Sequence, residues 1–170
     1  MNFTIAFLIA MLHVFKVEGG YVANLGDGAG ATHYGITQVT YPHENIPHLT
    51  KRRAGELYHR DFWSPLRADE MSCITSITIF DFAINAGKFR AITVTQHILD
   101  LPESGVVTTA MIKALAMREQ RWAFTAYNQQ RVVYYQGCRQ YKKYGKSWLR
   151  RIPNESECQN TSITEKQVFN

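Results

Sequence analysis

The chain has 170 residues and a mass of 19.5 kDa, the length of one ordinary domain. It is 45% hydrophobic and 12% aromatic, which excludes intrinsic disorder and a fibrous repeat. Its net charge of +5 is concentrated: from Lys113 to Arg151 ten bases face one acid, Glu119, while residues 1–112 and 152–170 each sum to −2.

The predicted elements are mainly helical. The first runs from Phe3 to Glu18, with Phe7, Met11 and Val14 at i, i+4 and i+7, and Gly19-Gly20 stops it. It reads as the opening helix of the mature fold rather than as a signal peptide. No Lys or Arg precedes the apolar stretch, His13 interrupts it, and no small-x-small cleavage site follows. The stretch is also too short to span a bilayer, so no stable membrane insertion is expected.

Residues 22–38 hold four glycines with Asn and Asp and lack helical period, which predicts a loop with short strands. Thr50 is a good N-cap for a helix carrying Ala54, Leu57, Tyr58 and Phe62, ended by Pro65. The next helix spans about Glu70 to Ala86, with Ile74, Ile77, Phe80 and Ile84 as its buried stripe and Gly87 as its stop. Phe89 to Leu99 is helical, and Thr108 or Thr109 caps a longer stretch reaching Gly137, broken near Glu119. From Pro153 the chain is polar, which predicts a frayed tail.

Chemistry concentrates in Glu18-Gly19-Gly20-Tyr21, followed by Asp27, Thr32 and Tyr34-Gly35-Ile36-Thr37. Glu18 continues the apolar stripe of the first helix, where desolvation and the helix C-terminus both favour a protonated carboxyl. A carboxylic acid held neutral is what a glycosidase uses to protonate a leaving-group oxygen. Asp27, in a polar glycine-rich loop, is expected to stay ionised, and the Thr32 hydroxyl can orient a water. Two carboxylates in contrasting environments describe an inverting hydrolase site. The plainer reading is a capped helix end followed by turn residues.

The run EGGYVANLGDGAGATHYGITQ resembles the signature of glycoside hydrolase family 108, the N-acetylmuramidases of phages, prophages and some secretion loci. TYPHENIPHLT, AGELYHRDFWSPLRADEM and IFDFAINAG follow the family in order, and KSWLRRI resembles its closing segment. The resemblance implies a mainly α, lysozyme-like fold. It also implies cleavage of peptidoglycan between N-acetylmuramic acid and N-acetylglucosamine, with Glu18 as the acid. It divides the chain into a catalytic part (1–87), a helical peptidoglycan-binding-like part (88–152) and a polar tail (153–170). Glu18-x8-Asp27 also resembles the Glu–Asp interval of phage lysozymes, with Thr32 one residue earlier than in that pattern.

Glu18, Asp27 and Thr32 are therefore the expected catalytic residues, and Tyr21, Tyr34, Asp81 and Asn85 the expected substrate-binding ones. Asp81 and Asn85, at i and i+4 on an apolar helix, either face a cleft or make a structural hydrogen-bond pair. Six histidines show no HxxxH or His-x-Asp spacing on a shared face, so no metal or cofactor is expected. Cys73, Cys138 and Cys158 form no CxxC and predict neither a disulfide framework nor a zinc site; a Cys138–Cys158 pair stays open. The basic, aromatic C-terminal third suits the anionic cell envelope rather than a nucleic acid. The expected protein is a monomer made in the cytoplasm and acting in the periplasm or on the wall, reaching it through a holin-like partner. Phage lysis and toxin release both remain open, as do a lytic transglycosylase and a non-catalytic wall-binding module.

Overall fold

A computed structural model describes residues 2–23, 28 and 30–170. The fold is mainly α, as expected. Helix α1 (Ile5–Glu18) starts at Thr4, whose hydroxyl accepts from the Phe7 amide at 3.3 Å. Capping of this kind satisfies an amide that has no intrahelical partner. After the glycine-rich segment, β1 (Thr32–His33) and β2 (Ile36–Thr37) pair antiparallel, with His33 opposite Ile36. The two residues between them, Tyr34 and Gly35, stand at φ 51° and 78°. Positive φ at both positions matches the twist of a two-residue hairpin, at a steric cost to Tyr34 of roughly 1–2 kcal/mol.

Thr50 caps α2 (Lys51–Tyr58) through the Arg53 amide, as predicted, and the chain continues as a π-helical turn over His59–Trp63. Helix α3 (Cys73–Ala86) is the centre of the molecule. Every residue from Ile74 to Ala83 is buried, so the predicted one-sided stripe is instead a helix enclosed all round. It packs on α1, on α4 (Lys88–Ile98) and on α6 (Gln120–Gly137). Gly87, at φ 91°, ends α3 and caps α4, a turn that a side chain at that φ resists. The long predicted stretch divides at Met117–Glu119 into α5 (Thr109–Ala116) and α6, and α7 (Tyr141–Leu149) follows. No helix is long and apolar enough to cross a membrane among the described residues.

Two expectations are corrected. The tail does not fray: a turn over Glu155–Gln159 leads to α8 (Glu165–Phe169), which packs on α1 and α2 and buries Ile163 and Val168. The Phe169 ring fills the space over Gly55, where a β-carbon would come within 2.6 Å of it. The disulfide joins Cys73 to Cys158, not Cys138 to Cys158, and Cys138 is free. Tertiary folding decides this pairing, because it lays the polar tail against the start of α3.

Candidate active site

Glu18 is the last residue of α1, and Gly19 turns the chain away at φ 75°. Its side chain is 19% exposed, open enough to meet a ligand. The apolar surroundings predicted for it are not what the fold supplies. The Arg151 guanidinium lies 2.8 Å from Glu18 Oε1 and 2.7 Å from Asp81 Oδ1. The other Asp81 oxygen pairs with Arg131 of α6, whose Nε donates to the Tyr135 hydroxyl at 2.9 Å. Burial opposes charge on Arg151, but Asp81 and Glu18 outweigh it and its pKa is raised.

Tyr58 approaches from α2. Its hydroxyl donates to the Tyr34 carbonyl at 2.9 Å, tying the hairpin turn to the helix that packs beneath it. Burial, and then the Glu18 charge, push its phenol well above the ordinary value, so it acts as a fixed donor. Gly35 completes this wall. A β-carbon there would strike the Tyr58 hydroxyl and approach Glu18 Cδ to 2.8 Å.

The predicted residues divide. Thr32 pairs backbone-to-backbone with Val22, and its buried Oγ1 has no hydrogen-bond partner among the described residues. Tyr34 stacks on His33 at 3.9 Å and meets Phe15 edge-on at 5.3 Å; it is the Tyr34 carbonyl that enters the hydrogen-bond network. Tyr21 is 46% exposed beside His33. Asp27 lies outside the described residues. Asp81 is fully buried, and its two oxygens face Arg131 and Arg151, so the structure places it behind Arg151 rather than on an open surface. Asn85 is exposed and accepts from the Tyr135 hydroxyl at 2.9 Å.

Arg151, Arg131 and Tyr58 were not among the site residues expected from the sequence, and Gly35 was named there only as part of the run after Tyr34. Arg150-Arg151 reads as surface charge, and no local spacing links it to Glu18.

Residues 11–87 match the family model described as Glycosyl hydrolase 108. Over that region the chain is similar to glycosyl hydrolase 108. Glu18, the hairpin, Tyr58 and Asp81 all lie within the matched segment, whereas Arg131 and Arg151 come from beyond it. A solved structure of Brucella abortus SagA superposes with a TM-score of 0.79 at 26% identity. The alignment covers 93% of this chain and 97% of that one, so the likeness extends through the C-terminal helices. No curated protein matches the sequence. The glycosyl hydrolase 108 match supports a glycoside hydrolase, in line with the resemblance in the sequence, and a peptidoglycan substrate is the expectation that goes with it.

Proposed function

We propose that this glycoside hydrolase is an N-acetylmuramidase that cleaves the β-1,4 bond between N-acetylmuramic acid and N-acetylglucosamine. The observation that carries the reading is Glu18: an accessible carboxyl at a helix end, held from behind by Arg151, within the family-matched segment. Glu18 gives its proton to the glycosidic oxygen as the bond to the anomeric carbon breaks. Water then adds its hydroxyl to that carbon, and its remaining proton returns to a carboxylate. Asp27 is assigned to stabilising the oxocarbenium-like transition state or activating that water, and the Thr32 hydroxyl to holding the water. Tyr21, Tyr34 and Asn85 are assigned to saccharide contacts.

The enzyme works as a monomer on the wall, after synthesis in the cytoplasm and passage through a holin-like route, in phage lysis or in toxin release. Glu18→Gln keeps the shape and removes the proton. A Glu18→Gln protein that cleared peptidoglycan at the wild-type rate would overturn the assignment. Mass spectrometry of the released fragments identifies the reaction: reducing ends that have gained water mark a hydrolase. Fragments lighter by one water mark a lytic transglycosylase. Binding to insoluble peptidoglycan without release of fragments marks a wall-binding module.

A further inference from the structure

Beside Glu18 lies a cavity of about 510 Å³ lined by Lys16, Val17, Ser147, Arg150 and Arg151. Three of its five lining residues are cationic, one offers a hydroxyl, and none is acidic. Its volume falls in the range of ligand sites and exceeds what a single small ion needs. Lys16 and Val17 come from the last turn of α1, Ser147 from α7, and Arg150 caps that helix.

Cations at two helix C-termini complement the helix dipoles, which accounts for a Lys or an Arg at either place. It does not account for their convergence on one concavity. Arg52, Arg53, Arg60, Arg67 and Arg121 each pair with a Glu or Asp, whereas Lys16 and Arg150 have no ion pair among the described residues. Lys16 also feels the Glu157 carboxylate, which His13 engages, but no acid lines the concavity itself, so it is positively charged.

Position limits what that something is. Val17 precedes Glu18 in the chain, and Arg151 both lines the cavity and pairs with Glu18 at 2.8 Å. An anion seated there is one guanidinium away from the candidate acid, so it must belong to the saccharide being cut or be joined to it. In peptidoglycan the muramic acid carries a short peptide that ends in free carboxylates. We propose that this cavity is a subsite for the carboxylates of that peptide, so that the enzyme recognises a peptide-bearing saccharide beside the bond it cleaves. The proposal rests on the muramidase reading and adds a substrate preference to it.

The test compares soluble glycan strands bearing their peptides, the same strands after amidase has removed the peptides, and strands whose peptide carboxylates are amidated. Wild-type enzyme is measured against Lys16→Gln, Arg150→Gln and the double variant. Arg151 is left alone because it holds Glu18. Both substituted residues are exposed, so unchanged melting curves are expected. The wild type should favour peptide-bearing strands about tenfold in kcat/KM, the scale of two partly exposed ion pairs, with added salt narrowing the gap.

The double variant should lose most of that ratio through KM and cleave bare strands as the wild type does; amidation should mimic it. A ratio that survived in the double variant would overturn the proposal. So would a loss of activity on bare strands equal to that on peptide-bearing ones. Weakened binding to lipopolysaccharide vesicles with an unchanged ratio would assign these cations to envelope phosphates instead. A wild type that cut neither strand would overturn the muramidase reading itself.

Discussion

Arg151 holds Glu18 from the far end of the chain, with its guanidinium 2.8 Å from the Glu18 carboxylate and 2.7 Å from Asp81. One guanidinium nitrogen, Nη2, meets both carboxylates, and the rigid plane of the group fixes where it stands, whereas an ammonium on a flexible stem has no such fixed position. Arg151→Lys should therefore keep the charge yet lower turnover at least tenfold, as Glu18 loses its fixed orientation. Arg151→Leu should also cost about 3 kcal/mol in urea unfolding, the low end for breaking a buried pair, because Asp81 keeps Arg131. Wild-type turnover in Arg151→Lys would mean that Glu18 needs no such support.

Gly35→Ala probes the opposite wall. The new methyl group meets the Tyr58 hydroxyl and comes within 2.8–2.9 Å of the Glu18 side chain, at a φ of 78° that alanine resists. The backbone cost is about 1–2 kcal/mol, whereas displacing an acid by even 1 Å costs on the order of a hundredfold in rate. The expected signature is a large loss of kcat with a small fall in Tm. A Tm loss without a kcat loss would refute the placement of Gly35 against the acid.

The disulfide predicts a stability change that reductant reproduces. Cys73 and Cys158 are separated by 85 residues, and a closed loop of that length constrains the unfolded chain by about 4.6 kcal/mol in the entropic picture. Cys73→Ser should lower unfolding free energy by roughly 2–4 kcal/mol. Dithiothreitol should lower the wild type by the same amount and leave Cys73→Ser unchanged. A Cys138→Ser protein should respond to reductant as the wild type does.

Glu157 gives the tail its pH dependence. Burial opposes its charge, but hydrogen bonds from His13 and the Asn154 amide outweigh it and hold the carboxyl below the usual range. A depressed carboxyl stabilises fully above the ordinary Glu pKa of about 4.3 and loses that contribution as pH falls through the folded value. Denaturant titrations below about pH 4.5 should thus show Glu157→Gln losing less stability than wild type per unit of acidification. Parallel curves would remove Glu157 from the acid response.

How far the sequence disclosed this molecule depends on the range of the forces involved. Helices α1, α2 and α4 were legible because apolar spacing, Thr caps and glycine stops act within a few residues. The break between α5 and α6 was legible at Glu119 for the same reason. Glu18 was found through its local motif, but its partner was not: Arg151 is placed by packing of α7 on α6 and by the contact of its carbonyl with His13 of α1. Asp81 stayed open between a cleft-facing and a structural pair because helical spacing cannot show that Arg131 of α6 and Arg151 enclose it. The tail hid its structure in three scattered residues, Ile163, Val168 and Phe169, whose burial depends on the surface formed by α1 and α2.

The reach from Glu18 to Arg151 also gives the site a history in time. At roughly 5–20 residues per second of synthesis, the carboxylate precedes its guanidinium by on the order of ten seconds. Throughout that interval the growing chain holds the family's signature segment with nothing behind its acid. Cys158 follows later still, so the tail can be fastened only after Arg151 exists. The ribosome thus releases the signature early and the working site late.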